Sequence, residues 1–217
     1  MSVATSYVEG TAALAALDPV IARLVTETGP VEFTVQPESN FAALVRAITY
    51  QQLAGAAARA IYGHLLDLLG HDVSPDAIVR FSPEALRSAG LSNAKAASVL
   101  DLAAKALDGS VVLDDDALAR LSDDEIIANL VTVRGIGPWT AQIFVMLHLG
   151  RLDVFPVGDL GIRKGYALAW GVSVPTAKEL EVIGERYRPY RSVLSWYCWR
   201  AAELYAGATA SAVTGTA

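Results

Sequence analysis

The segment Val131–Ala141 reads Val-Thr-Val-Arg-Gly-Ile-Gly-Pro-Trp-Thr-Ala, a short turn between two helical patterns. Gly135 and Gly137 can adopt positive φ, and because they lack side chains they allow another backbone to approach. Ile136 can fill the gap between the helices, and the free amides of the second helix suit a phosphate oxygen. We therefore predict a helix-hairpin-helix over about residues 126–149 that anchors DNA, although Gly-x-Gly-Pro alone is more typical of an ordinary helix end followed by an N-terminal proline.

A second segment, Leu152–Gly165, places a Gly-Asp pair after a proline-containing loop and before another helical pattern. It reads Leu-Asp-Val-Phe-Pro-Val-Gly-Asp-Leu-Gly-Ile-Arg-Lys-Gly. Asp159 stands where that helix needs its N-cap, and an acid in this position is by itself typical of a cap. A helix N-terminus also stabilises a negative charge, so the same residue is a candidate catalytic carboxylate at the end of the loop 153–159.

Composition limits the class of protein. The 217 residues are 53% hydrophobic, enough for a sizeable core. No apolar run reaches the roughly 18 residues of a membrane span, and residues 1–10 lack the features of a secretory signal. The single cysteine, Cys198, cannot form an internal disulfide or a four-cysteine cluster, and the histidines have no metal-ligand spacing. We therefore expect a cytoplasmic protein with no cofactor and no metal held by side chains.

The charges are segregated along the chain. The net charge of −6 argues mildly against a nucleic-acid partner, but a DNA footprint needs only a local basic surface. Acidic residues cluster at Asp114–Asp116 and Asp123–Glu125, whereas Arg186–Ala202 holds four arginines and no acid. This separation permits one face toward DNA, and ordinary solvated surfaces account for it equally well.

Start and stop signals predict a succession of helices joined by short turns, which is an all-α fold. Asn40 is expected to cap a helix from Phe41, and the β-branched segment Val31–Val35 favours a short extended piece. The clearest start signals are Asp18-Pro19, Ser74-Pro75, Ser82-Pro83 and the capping box Ser122–Glu125.

Together these segments resemble the DNA-3-methyladenine glycosylase II family of the helix-hairpin-helix (HhH-GPD) superfamily, which includes AlkA-like and MAG-like enzymes. The resemblance rests on Arg-Gly-Ile-Gly-Pro-Trp-Thr-Ala followed by Asp-Val-Phe-Pro-Val-Gly-Asp-Leu-Gly-Ile. Ala47–Leu53, which reads Ala-Ile-Thr-Tyr-Gln-Gln-Leu, is similar to a further family segment. So is Arg188–Arg200, with Arg-Pro-Tyr-Arg-Ser and a tryptophan. The resemblance covers most of the chain from Phe41 to Tyr205.

The resemblance implies a two-lobed all-α HhH-GPD glycosylase fold with its active site in the cleft between the lobes. We expect residues 1–46 and 165–217 to form one helical lobe. Residues 47–164 are expected to form the central lobe, with the hairpin and the loop 153–159. We expect this chain to be a compact version without the leading β-structure of some members.

The resemblance also implies roles for individual residues. Asp159 is the expected catalytic carboxylate, and Gln52 and Leu53 occupy the wedge region with Gln51 beside them, although Leu53 could equally face the core. The expected DNA backbone anchor consists of Arg134, Gly135, Ile136, Gly137 and Thr140. The lesion-pocket candidates are Trp139, Phe41, Tyr50, Trp196 and Trp199, with Tyr197 as a further aromatic, although most aromatic residues at helical spacing belong to the core.

The family comparison further predicts simple hydrolysis. Bifunctional relatives carry a lysine nucleophile at the position of Trp139, and an indole cannot form a Schiff base with the sugar. Ile143 stands where the best-known branch has a pocket tyrosine, which leaves the lesion preference open. The hairpin carbonyls can hold a monovalent cation, as the family implies, and Arg163 is expected to have a structural role, for example beside Asp153.

The expected partner is double-stranded DNA containing alkylated bases, bound by a monomer with no membrane contact. The lesion range stays open among 3-methyladenine, 7-methylguanine, deaminated purines, N1-methyladenine and N3-methylcytosine. Two alternatives are a non-catalytic helix-hairpin-helix DNA-binding module and an all-α interaction domain that the net charge favours. Within the glycosylases, the rival is an enzyme for mismatched or oxidised bases.

Overall fold

The computed structural model describes residues 3–32 and 37–213, with side chains described over 7–32 and 37–206. Every regular element in these ranges is helical, which confirms the predicted all-α class. The helices are α1 (Val3–Leu17), α2 (Pro19–Thr28), α3 (Asn40–Tyr50), α4 (Gly55–Leu68), α5 (Pro75–Ile78), α6 (Pro83–Ser88), α7 (Asn93–Leu107), α8 (Asp115–Leu118), α9 (Asp123–Leu130), α10 (Pro138–Ile143), α11 (Leu160–Trp170), α12 (Ala177–Gly184) and α13 (Arg191–Val213). None of these helices is long and apolar enough to cross a bilayer.

The chain divides into two compact units. The terminal unit comprises Met1–Thr34 and Leu149–Ala217, and the central unit comprises Val35–His148. The predicted lobe boundaries, after residues 46 and 164, would have cut α3 and α11. The units keep both helices whole, because α3 packs on α4 and α7 while α11 packs along α13. The loop before Asp159 therefore belongs to the terminal unit rather than to the central one.

The terminal unit is organised around α13. Its buried cluster joins α1, α2, α11 and α13, with Ile21, Leu24 and Tyr197 inaccessible to solvent. Asp18, the cap of α2, is buried and accepts hydrogen bonds from Tyr187 Oη at 2.7 Å and Trp170 Nε1 at 3.2 Å. Burial raises the pKa of the Asp18 carboxyl, but these hydrogen bonds outweigh it and hold the pKa below its usual value.

The central unit packs helices around α7. Helices α3, α5 and α6 all contact α7, and α9 contacts α10. Leu44, Ile48, Leu86 and Leu102 are fully buried in it. The predicted second helix of the hairpin is confirmed in position, but it changes from α-helical to π-helical over Phe144–His148.

Local signals placed most helix starts correctly. Ser74, Ser82 and Ser92 each cap their helix by accepting from the amide three residues on, and the capping box at Ser122 is present. One start differs by a residue, because Ser39 rather than Asn40 is the N-cap of α3. The predicted extended piece lies mostly in residues 33–36, which are outside the described residues.

Candidate functional site

The structure places Asp159 at the start of α11, as its sequence position predicted. It is the N-cap of α11, where its Oδ1 accepts a hydrogen bond from the amide of Ile162 at 3.0 Å. The same oxygen accepts from the indole Nε1 of Trp199 on α13 at 3.3 Å. The side chain is half-buried, so a carboxylate is held in one orientation beside an aromatic ring and at a helix N-terminus.

The loop before Asp159 is fastened to the start of α13. Ser192 Oγ donates to the carbonyl of Arg151 at 2.6 Å and accepts from the amide of Val154 at 3.0 Å. Arg191 donates to the Asp153 carboxylate at 2.8 Å and to the Asp153 carbonyl at 2.9 Å. The segment Arg-Pro-Tyr-Arg-Ser, which the sequence showed only as a matching motif, therefore holds the loop that carries Asp159.

Three of the four arginines in Arg186–Ala202 pair with acids, so they do not form a free basic surface. Arg188 and Arg191 form ion pairs with Asp153 and Glu185, and Arg200 pairs with Glu203. These acids lie outside the arginine-rich stretch in sequence, so the composition of the stretch could not predict the ion pairs. Arg163 is structural as expected, but it donates to the carbonyl of Pro175 at 2.7 Å rather than to Asp153.

Two glycines let α11 approach α13 closely. A Cβ on Gly165 would lie 1.7 Å from the carbonyl oxygen of Cys198 and 2.6 Å from its carbon. A Cβ on Gly161, one turn earlier, would lie 3.0 Å from Asp159 Oδ1 and 3.3 Å from Trp199 Cδ1. Sequence reasoning missed both residues, although two glycines four apart in an apolar helix are a signal of close helix packing.

The hairpin turn of the central unit is mostly as predicted. Ile136 is buried, and Gly135 has a φ of 78°, in the left-handed region. Gly137, however, has a φ of −89° and serves as the N-cap of α10, so it does not need positive φ. A Cβ on Gly137 would meet nothing within 4 Å, whereas one on Gly135 would lie 2.3 Å from Ser98 Oγ.

The turn after α3 lies against this hairpin. Gln51 Nε2 donates to the carbonyl of Gly135 at 3.0 Å and to Thr140 Oγ1 at 3.2 Å. Thr140 is buried and its hydroxyl makes this internal contact, so its place in the DNA backbone anchor stays a prediction. Gln52 has a φ of 55° and is exposed, and Leu53 is 38% exposed. The geometry favours a bracing role for Gln51 and leaves Gln52 and Leu53 as wedge candidates.

Residues 45–189 match the HhH-GPD superfamily of base excision DNA repair proteins. The chain belongs to this superfamily. It is similar to DNA-3-methyladenine glycosylase 1 of Schizosaccharomyces pombe, at 30% identity over 93% of this chain and 90% of that protein.

Two similar solved structures agree with this assignment. A DNA-3-methyladenine glycosidase from Bacillus halodurans is 35% identical with a TM-score of 0.80, covering 88% of each chain. The S. pombe 3-methyladenine DNA glycosylase in complex with abasic DNA is 30% identical with a TM-score of 0.77, covering 88% of this chain and 95% of that one.

The aromatic candidates of this HhH-GPD chain fall into two groups. Phe41 and Tyr197 are buried, and Tyr197 Oη donates to the carbonyl of Gly29, which favours packing roles for both. Trp139 is 48% exposed on α10, and Trp199 is half-buried beside Asp159. Two further candidates are half-buried: Tyr50, edge-on to Tyr62, and Trp196, under Arg200.

Sequence reasoning also missed the polar face of α7. Lys95, Ser98, Asp101 and Lys105 follow one another at helical spacing and all contact the turns just described. Their spacing on an otherwise apolar, alanine-rich helix was the available signal. No group of three or more His, Cys, Asp or Glu side chains in the described part of the chain is placed to hold a metal ion.

Alanine substitutions at the two hairpin glycines of this HhH-GPD chain should have different effects on stability. We expect Gly135→Ala to lower the free energy of unfolding by about 2 kcal/mol, because it adds positive-φ strain and a contact with Ser98. Gly137→Ala should change stability by less than about 0.5 kcal/mol, because its Cβ would meet nothing within 4 Å, but as a predicted DNA-anchor residue it should weaken duplex binding several-fold. Urea unfolding measures the change in stability, and fluorescence anisotropy measures duplex binding. Equal destabilisation by the two substitutions would contradict the different surroundings of the two glycines.

Proposed function

We propose that the chain is a monofunctional DNA glycosylase of the DNA-3-methyladenine glycosylase II type, removing alkylated bases from double-stranded DNA in base excision repair. The observation that carries this proposal is the carboxylate of Asp159 at the N-terminus of α11, which hydrogen bonds from the Ile162 amide and the Trp199 indole hold in one orientation. The similarity to 3-methyladenine glycosylases over nearly the whole chain supports the substrate class. We expect it to act as a cytoplasmic monomer.

The proposed chemistry needs one carboxylate. Alkylation of a ring nitrogen makes the base cationic and a good leaving group, so positive charge develops on the sugar as the N-glycosidic bond breaks. A fixed negative charge nearby stabilises this transition state and can orient the attacking water. Because the leaving group needs little acid assistance, the acid–base pair of ordinary glycosidases is not required. Asp159 supplies the charge, and its two donors keep it in place.

The central unit supplies the proposed contacts with DNA. A damaged base must leave the helix stack before its sugar can be reached. The turn at Gly135–Gly137 and the start of α10, whose N-cap Gly137 has no capping side chain, suit the phosphate backbone. Leu53, apolar and partly exposed after the strained Gln52, is suited to fill the gap that the flipped base leaves.

Trp139 supports two features of the proposal. An exposed indole face attracts a cationic base by about 0.5–2 kcal/mol, which suits alkylated bases. The same position carries no amine, so no covalent intermediate with the sugar can form there. We therefore propose base release by water, with the abasic strand left intact.

The decisive experiment is to incubate the protein with a methylated duplex and with a duplex that already contains an abasic site. We expect free 3-methyladenine and 7-methylguanine from the first by chromatography, and no cleaved strand from the second until alkali is added. Duplex binding without base release would favour the non-catalytic DNA-binding module. Absence of salt-sensitive duplex binding would favour the interaction domain.

A further inference from the structure

Helix α7 holds the turn that carries the wedge candidates. Lys95 Nζ donates to the carbonyls of Thr49 and Gln51, each at 2.8 Å. These carbonyls end α3 and have no partner within that helix, so an ammonium group there satisfies them and complements the helix dipole. Lys95 therefore fixes the chain immediately before Gln52 and Leu53.

The same face of α7 holds the hairpin turn. Asp101 Oδ2 accepts from the amide of Arg134 at 2.7 Å. Lys105 forms an ion pair with Asp101 at 3.0 Å and donates to the carbonyl of Thr132. Ser98, three residues before Asp101 on the same face, lies so close to Gly135 that a Cβ on that glycine would clash. One helix face thus contacts both turns, three to four residues apart at each step.

The turn after α3 requires such support. Gln52 has positive φ, a conformation that costs a residue with a side chain free energy and persists when the surroundings impose it. Within the turn, the amide of Leu53 reaches the carbonyl of Tyr50 only at 3.3 Å. The contacts of Lys95 on one side and of Gln51 with the hairpin on the other hold it in place.

We propose that helix α7 sets the distance between two turns and that Lys95 is the main positioning residue. These turns are the wedge turn, residues 50–53, and the hairpin turn, residues 131–137. The proposal rests on the function proposed above. The hairpin fixes one DNA strand, so the wedge enters the duplex at a distance that α7 determines. Lys95 acts through the backbone of the wedge turn and does not itself touch the reacting atoms.

The electrostatics of the polar face of α7 agree with this role. Partial burial lowers the pKa of the Lys95 ammonium, which reflects its removal from water toward the two carbonyls. Burial raises the pKa of the Asp101 carboxyl, but the Arg134 amide and the Lys105 ammonium outweigh it and hold the pKa below its usual value. Asp101 is thus kept charged as an acceptor for the hairpin backbone.

The test compares Lys95→Met with Lys95→Arg and with the exposed control Lys178→Met. Lys95→Met should lower the single-turnover rate of base release by about 10- to 100-fold, because the wedge is misplaced. Affinity for an undamaged duplex should stay within about threefold, since a lost phosphate contact would instead reduce binding and its salt dependence. Lys95→Arg keeps charge and donors and should retain most of the rate, and Lys178→Met should match wild type.

Hydrogen exchange provides a readout that does not depend on activity. Lys95→Met should increase amide exchange in residues 50–53 without increasing it in the loop 153–159 of the other unit. If Lys95→Met fails to fold, Lys95→Gln, which removes the charge but keeps an amide donor group, replaces it. The positioning role would be overturned if Lys95→Met changed neither the amide exchange nor the rate of base release. It would also be overturned if duplex affinity fell by as much as the rate. If wild type releases no base, the proposed function fails, and the exchange data still decide whether α7 holds the turn.

Discussion

Asp159→Asn is expected to lower the single-turnover rate of base release by about 10³-fold while leaving the fold intact. Asparagine keeps an oxygen that can accept from the Ile162 amide and the Trp199 indole, and it caps helices as well as aspartate does. The substitution therefore removes the negative charge and little else. Rates should be measured on methylated duplex with enzyme in excess, beside thermal unfolding of both proteins.

Two further variants separate charge from capping. Asp159→Ala removes the charge and the cap, so it should lose a similar amount of activity and in addition about 1 kcal/mol of stability. Trp199→Phe removes the indole donor and keeps an aromatic ring, so it should slow the reaction by much less than Asp159→Asn does. Equal base release by Asp159→Asn and wild type would reject Asp159 as the catalytic group.

Gly165→Ala should lower the free energy of unfolding by about 3 kcal/mol or more. Its Cβ would lie 1.7 Å from the Cys198 carbonyl oxygen, and a helix backbone cannot retreat as a side chain can. Separation of α11 from α13 would also move Asp159 away from Trp199. We therefore expect the melting temperature to fall by about 6–12 °C and the rate to fall even where the variant is still folded.

Gly63→Ala is the matched control for this effect. Gly63 also lies inside a helix, α4, but a Cβ there would meet nothing within 4 Å. It should raise stability by about 0.5–1 kcal/mol, because alanine loses less backbone entropy than glycine does in a helix. Calorimetry of the two variants measures the contrast. A Gly165→Ala protein as stable as wild type would show that the two helices are not in close contact.

The sequence alone was enough to predict most helix starts, the hairpin and the place of Asp159 at a helix N-terminus. Caps such as Ser74, Ser82 and Ser122 were predictable, because each depends on a hydrogen bond to an amide three residues away. The family resemblance rested on four ordered segments, among them the hairpin glycines and the Gly-Asp pair at residues 158–159, and the HhH-GPD match over residues 45–189 confirms it.

Only the tertiary structure decided which residues hold the site in place. Trp199 reaches Asp159 across 40 positions, and Lys95 reaches the carbonyl of Gln51 across 44. Gly165 likewise matters only because α13 passes over it. The physical reason is that such contacts depend on how helices pack side by side, which is set by the whole core, whereas caps and turns are set by the few residues around them.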